Sequence, residues 1–363
     1  MKTFRVYVIM LVSLVMASAC EKQNVKLHTI VNADGTCTRE VCYSNVMTKA
    51  VRDSLWMPGK EGQSLPVPEC ILIDGYKSTH TEVGEHDTVT TTFSKVFESA
   101  EDMSKQIPLR LNGVRLKSHA SLEKRFRWFY TEYVFTEAFD CAGDSFKIPL
   151  TDFVDEEVAL FWFTGRPNLL EGLNGSEASE KLGEIEPLVD QWVNANMAVN
   201  CLDFIVEHYD DVVNPPVDRN GFVALKDSLL QLFSQNAASY SWDEVGPATF
   251  EEMFHSKAYD MFFDDGHPCG QALAEKMEAD AKLMWLSVPY VLTMPGKVID
   301  AGNGALLGED IVYAFSGERL IPQDYVVSAT SRVTHIWAYV LTILVFILTI
   351  ASFCMKATSE RKR

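Results

Sequence analysis

The stretch Ile336–Met355, IWAYVLTILVFILTIASFCM, carries no charged side chain and is followed by Lys356, Arg361, Lys362 and Arg363. As a helix it rises about 30 Å, the thickness of a bilayer's hydrocarbon core. Trp337 and Tyr339 stand at its start, where amphipathic rings favour a membrane–water interface. Basic residues gather after the run, and only Arg332 lies just before it. The positive-inside bias therefore puts the C-terminus in the cytoplasm. A buried core helix is the alternative reading, and length, position and flanking charge weigh against it.

A second apolar run, Val6–Met16, follows Lys2 and Arg5 and is too short to span. A basic start, a short apolar stretch and the small residues Ala17-Ser18-Ala19 form the pattern of a secretory signal. Cys20 then stands where a bacterial lipobox places the cysteine that is lipidated. Ala17 occupies the position usually held by leucine, and Ala-Ser-Ala also fits an ordinary signal peptidase site. Both readings export the segment between the two runs. The expected organisation is a lipoprotein-type signal peptide over 1–19, a β-rich part over 20–154 and a helical insertion over 155–286. Strands over 287–332 complete the sheet, followed by a transmembrane helix over 333–355 and a cytoplasmic tail over 356–363.

The formal net charge is −18. Most of the residues at the chain's two ends that carry charge are basic, so the body between them is more acidic still. Nucleic-acid binding needs a basic face and is excluded as an expectation. The same charge opposes flat adhesion of the whole body to anionic headgroups. Six cysteines lie in the body: Cys37, Cys42, Cys70, Cys141, Cys201 and Cys269. Disulfides are allowed in an exported domain, but the pairing is not readable. Cys37 and Cys42 are five apart on one expected strand and face opposite sides, so they do not pair with each other.

Strand-like runs at Val25–Val31 and Thr36–Tyr43 flank Asp34-Gly35, a hairpin signal. Residues 45–86 read as irregular, with Pro58, Pro66 and Pro68. Thr88–Phe97 reads as a strand, Glu98–Ile107 as a short helix, and His119–Phe139 as one long aromatic strand whose far half is covered on both faces. The period then changes to helical at Asp155–Trp162, Glu186–Tyr209, Leu225–Phe233, Phe250–Phe262 and Gln271–Trp285. Strands return at Val288–Val298, Asp310–Phe315 and Asp324–Thr330. The expected fold class is α+β: an antiparallel sheet with a central helical insertion, plus one C-terminal transmembrane helix.

The order of Cys20, Asn32-Ala33-Asp34-Gly35, Met294-Pro295-Gly296-Lys297-Val298, Asn303-Gly304, a strand and a terminal apolar helix resembles LppM-type bacterial envelope lipoproteins. It also looks like uncharacterised lipoproteins of the Bacteroides type. The LppM resemblance implies an α+β domain between a lipid anchor and a helix, associated with envelope lipid. This chain departs from that pattern over about 155–285, and Phe315 stands where the family's tryptophan is expected.

No Gly-x-Ser-x-Gly, His-Glu-x-x-His or phosphate-loop motif occurs, and Gly302–Gly308 reads as a turn. Asp264, Asp265 and His267 beside Cys269 are the best metal candidates, ahead of Glu82, Glu85, His86 and Asp87 and of Glu207, His208, Asp210 and Asp211. Solvated charge is the competing reading for all three groups. No cofactor is expected. Phe126, Trp128, Tyr130, Tyr133 and Phe135 are candidates to line an apolar ligand site, against the alternative of ordinary core. The expected function is a non-enzymatic envelope lipoprotein of the bacterial inner membrane with its body in the periplasm. It would be held by the C-terminal helix and lipid on Cys20, and would bind an apolar or lipid ligand or an envelope protein. An envelope-acting enzyme whose His208, His255, Cys269 and carboxylates meet only in the fold, or a structural subunit of a membrane complex, are the alternatives.

Overall fold

The computed structural model describes residues 24–46, 75–83, 88–105, 109–111, 114–237 and 242–360. The signal segment, Cys20, Cys70 and the metal candidates Glu85, His86 and Asp87 lie outside the described residues. Strands β1 (Asn24–Val31) and β2 (Cys37–Val46) form the expected hairpin. Its turn is closed by Asp34, which accepts from the Thr36 amide at 2.9 Å and the Thr36 hydroxyl at 2.8 Å. Next come β3 (Lys77–Val83), β4 (Thr88–Phe97), helix α1 (Ala100–Lys105) and the short pair β5 (Leu109–Leu111) and β6 (Val114–Leu116). β3 lies inside a segment the sequence marks as irregular; its Ser and Thr residues satisfy a β ladder with β4 without supplying apolar alternation.

The expected single strand over His119–Phe139 is two: β7 (Ser118–Phe126) and β8 (Tyr130–Phe139), paired antiparallel about a turn at 127–129. The inward phase shows why. β7 turns Ala120 and Leu122 toward the core, at even positions, whereas β8 buries Tyr133, Phe135, Glu137 and Phe139, at odd ones. A continuous strand would put those sets on opposite faces. The outer side of β8 is half-buried throughout.

Helices α2 (Glu156–Thr164), α3 (Gly175–Glu207), α4 (Arg219–Ala224), α5 (Lys226–Asn236), α6 (Trp242–Phe254) and α7 (Pro268–Trp285) follow. The chain then returns through β9 (Ser287–Thr293), β10 (Lys297–Asp300), β11 (Ala305–Leu307), β12 (Asp310–Ser316) and β13 (Tyr325–Thr334) into helix α8 (Ile336–Glu360). α3 begins well before the periodicity suggests. Asn174 accepts from the Ser176 and Glu177 amides while Glu177 reaches back to Asn174, a capping box that starts the helix, and Pro187 lies inside it.

The fold is mixed α+β, with the strands in two large sheets rather than one. The seven-stranded sheet has the order β11-β12-β9-β1-β2-β4-β3, and the four-stranded sheet β10-β13-β8-β7. The expectation of a wholly antiparallel sheet is corrected by β1 and β9, which pair in parallel with Leu27 opposite Tyr290. The sheets face each other across Leu27, Val41, Phe93 and Tyr290 on one side and Tyr133, Phe135, Phe139 and Val327 on the other. Met294-Pro295-Gly296 carries the chain from the first sheet to the second. Gly296 has φ 78°, and a Cβ there would lie 2.3 Å from the Arg332 carbonyl oxygen, so only glycine fits.

The middle of this apolar sandwich holds an ion pair. Arg39 on β2 donates to Glu137 on β8 at 2.6 Å, and both side chains are out of solvent. Glu137 also accepts from the Tyr290 hydroxyl at 2.6 Å and the Ser118 hydroxyl at 2.8 Å. Burial works against charge on Arg39, but Glu137 outweighs it and holds the guanidinium protonated. Burial and the neighbouring Glu137 charge together push the Tyr290 hydroxyl well above its ordinary range.

The helices have their own cores. Trp192, Val189, Phe161 and Leu150 form one beside the sandwich, and Ile321 from the β12–β13 connection joins it. Phe222, Phe250, Tyr259 and Leu202 centre the other. Asp203 on α3 bridges Lys147, from the segment after β8, and Lys226 on α5. Partial burial works against its charge, and hydrogen bonds from the two lysines hold its carboxyl below the usual range.

Glu137→Ala strands the Arg39 charge in the core and is expected to cost about 3–5 kcal/mol. The double replacement Arg39→Met with Glu137→Leu is expected to lose much less, measured by denaturant unfolding of the solubilised chain. Asp203→Asn is expected to lower the midpoint at neutral pH. Because the folded-state pKa lies below the ordinary value of 3.8, the wild-type advantage is present above that pH and is lost as pH falls through the folded pKa. Melts between pH 2 and 7 check this.

Candidate functional site

β13 passes into α8 through one residue, His335. The β7–β8 tip is bound to that passage. The His335 amide donates to the Phe129 carbonyl at 2.8 Å, and the His335 ring meets the Thr131 hydroxyl at 2.9 Å. Phe126 stacks on His335 with centroids 5.2 Å apart, and His335 stacks in turn on Trp337 at 5.6 Å. Trp128 meets Trp337 edge-on at 5.4 Å, and Phe129 lies 4.7 Å from Tyr339. The Trp128 indole N–H donates to the Thr342 hydroxyl at 2.9 Å. That hydroxyl donates to the Ala338 carbonyl at 2.7 Å, so Thr342 satisfies its own helix and still accepts the tip. Thr349 bonds its own backbone in the same way, to Val345 at 2.7 Å.

The five aromatic residues proposed for an apolar site therefore divide. Tyr133 and Phe135 are core, 3% and 0% exposed, and the Tyr133 hydroxyl is fixed on the Ala33 carbonyl at 2.9 Å. Phe126 and Trp128 are 62% and 46% exposed at the junction. Tyr130 lies between the two groups, with the Arg332 guanidinium 4.5 Å over its ring. The sequence set does not line one cavity. His335, Trp337, Tyr339 and Thr342 complete the junction; the sequence marks Trp337 and Tyr339 as interface rings at the helix start, and nothing in it links them to the β7–β8 tip.

Charges frame the junction. Glu132 accepts from Arg332 at 2.8 and 2.9 Å and lies 3.9 Å from Arg125, which is also bonded to Glu123. Arg127, exposed at the tip, pairs with no carboxylate among the described residues.

The proposed metal ligands do not converge. The His267 ring accepts from the Cys269 amide at 3.2 Å and caps α7, and Asp264 accepts from the Gly266 amide at 2.9 Å. Asp265 takes part through its carbonyl, which accepts from Gln271 at 2.9 Å. Asp264 and His267 thus tie off a turn with their side chains. Among the described residues no group of three or more His, Cys, Asp or Glu side chains is placed to hold a metal ion. His208 contacts Asp211 at 3.3 Å and Asp210 pairs with Arg219 at 2.9 Å.

Of the scattered candidates for nucleophilic chemistry, His208 pairs with Asp211 at 3.3 Å, and burial together with the Asp211 charge raises the Cys269 thiol, the opposite of activation. Burial pushes the Cys269 and Cys201 thiols up, and the first cysteine of the hairpin, Cys37, up to about 11. Cys37, Cys42, Cys141, Cys201 and Cys269 are free thiols, with Cys37 buried inside the sandwich and Cys42 on its outer side. One histidine does meet a hydroxyl and carboxylates. The His28 ring contacts Glu40 at 3.0 Å and the Thr293 hydroxyl at 2.8 Å, and that hydroxyl donates to Asp310. These residues stand on four adjacent strands, β2, β1, β9 and β12. Both His28 ring nitrogens are engaged and the Thr293 hydroxyl is turned to Asp310, so the row acts as a polar clasp across the four strands. No known protein family, curated protein or solved structure matches the chain.

Trp128→Ala is expected to raise hydrogen exchange at residues 335–339 while leaving the unfolding midpoint within a degree or two. Tyr133→Ala, a core truncation, is expected to cost about 3–5 kcal/mol. Equal destabilisation by the two replacements would remove the distinction between junction and core.

Proposed function

We propose that this chain is a membrane-anchored, non-enzymatic envelope protein that holds an α+β body at a fixed attitude to the bacterial inner membrane. The carrying observation is the passage from β13 to α8 through His335 alone, locked by the Trp128 bond to Thr342. A tether built for reach has a flexible linker; a strand that runs into a helix transmits orientation. One stretch of α8, Ile336–Phe353, is long and apolar enough to cross a membrane, with mean hydropathy 2.4 and 6% of it covered by the rest of the chain. An apolar helix left this bare needs lipid or another protein around it.

In this reading the body lies in the periplasm, the tail from Lys356 in the cytoplasm, and Cys20 carries a second, lipid anchor of the kind that resemblance to LppM-type lipoproteins suggests. The apolar partner is met at the junction, since Tyr133 and Phe135 are occupied by the core. The enzyme alternative has less support: burial raises the Cys37, Cys201 and Cys269 thiols, and the His28 row is self-satisfied.

The topology is tested with reporters fused after Arg363 in a bacterial host. A cytoplasmic fluorescent reporter is expected to light and an alkaline phosphatase fusion to stay silent. An active phosphatase would reverse the orientation. A fully soluble chain after removal of the lipid site by Cys20→Ala would remove the helix as an anchor.

A further inference from the structure

Resting on the reading that α8 spans the bilayer, we infer that the β7–β8 tip is itself a phospholipid-binding element. In it Arg127 takes a headgroup phosphate, and Phe126 and Trp128 occupy the boundary between glycerol and acyl chains.

The first argument is depth. Thr342 lies six residues into α8, roughly 9 Å along its axis. Trp128 is hydrogen-bonded to it, and Phe129 packs on Tyr339. The tip therefore shares the level of the helix's first two turns and enters whatever phase they enter. The second argument is composition at that level. Phe126, Trp128, Trp337 and Tyr339 are exposed rings on one end of the body, where water disfavours them and a membrane interface favours them. Every residue from Glu123 to Trp128 is exposed, so the tip projects beyond the sandwich.

Charge supplies the third. Arg125 and Arg332 are each matched to Glu132 or Glu123. Arg127 has no such match among the described residues, although the chain carries 50 acidic residues against 32 basic ones. A guanidinium beside a tryptophan, at the depth of a helix entry, faces the phosphodiesters of the adjoining leaflet, which it binds through two parallel hydrogen bonds. The acidic body stays off the membrane while this tip touches it, so the overall charge and the local contact do not conflict.

The test uses the full chain reconstituted in vesicles of phosphatidylethanolamine and phosphatidylglycerol, with benzoylphenylalanine placed singly at 126, 346 or 223. After irradiation, lipid adducts are read by mass spectrometry. Phe346 faces outward from α8 and Val223 lies exposed in the helical layer. Adducts at 346 and 126, and none at 223, are the expected result. An adduct at 346 without one at 126 overturns the tip contact and leaves the anchored reading standing. No adduct at 346 overturns both, and an adduct at 223 equal to that at 126 shows contact without specificity and overturns the tip. With the label at 126, Arg127→Gln is expected to lower the adduct yield several-fold, and Arg127→Lys, which keeps the charge but not the paired hydrogen bonds, to lower it less. An unchanged yield in Arg127→Gln removes the phosphate role, and equal melting midpoints for the two variants exclude a folding defect, since Arg127 is exposed.

Discussion

The guanidinium of Arg39 sits between two apolar sheets with the Glu137 carboxylate as its counter-charge, and the sandwich is arranged around that need. Glu137 takes hydrogen bonds from β2, β7 and β9, so one carboxylate ties together strands from both sheets. Arg39 lies 5.8 Å over the Tyr290 ring, and its Nε finds no hydrogen-bond partner among the described residues. Such a pair contributes little net stability compared with an apolar replacement, because both charges are taken out of water. What it supplies is selection: a register slip of either sheet would leave a bare charge in the core. Tyr290 couples this to the parallel β1–β9 contact, because the hydroxyl that donates to Glu137 also meets the Thr29 hydroxyl at 2.9 Å and, its one proton being used, accepts from it.

That register has a consequence at the end of the molecule. β8 and β13 pair from Tyr325 opposite Phe139 to Thr334 opposite Tyr130 without a break. Fixing Glu137 therefore fixes where β8 begins, and so where the tip meets α8. The helix is not appended to a domain that happens to end nearby. It prolongs a central strand of the four-stranded sheet, and the adjoining hairpin supports its first turns. Rigid connection of this kind makes the attitude of the body a property of the fold.

Local patterns were legible and distant ones were not. The Asp34-Gly35 hairpin, the strand Thr88–Phe97 and the apolar helix each follow from short-range rules, and the structure places them where the pattern does. The opposite facing of Cys37 and Cys42 also follows from alternation. The turn at 127–129 was present as a change of phase from Ala120 and Leu122 to Tyr133 and Phe135, but charged and aromatic residues on both sides of it hid the break. Asn174 and Glu177 spelled a capping box, yet the apolar spacing that marks the helix is followed only from Glu186, so the expected start falls late. The partners of Arg39 had no local signature, since its carboxylate is 98 residues away. The candidate site was half legible for the same reason: the rings of the tip stand out, but their separation from Tyr133 and Phe135 depends on which side of the turn each lies.

The division of those rings explains how one hairpin can serve two environments. Its inner half must be dry and closely packed, and β8 alternates without fault to provide that. Its outer half runs past the sheet, and there β7 loses alternation, so that from Glu123 to Trp128 nothing turns inward. In water a strand end with two exposed rings and an unmatched arginine invites aggregation. In the proposed anchored reading the same composition beside α8 becomes favourable, because a membrane interface would offer the rings and the guanidinium what the sandwich does not. The loss of alternation along β7 thus marks, in sequence order, the point at which the hairpin leaves the protein's own core.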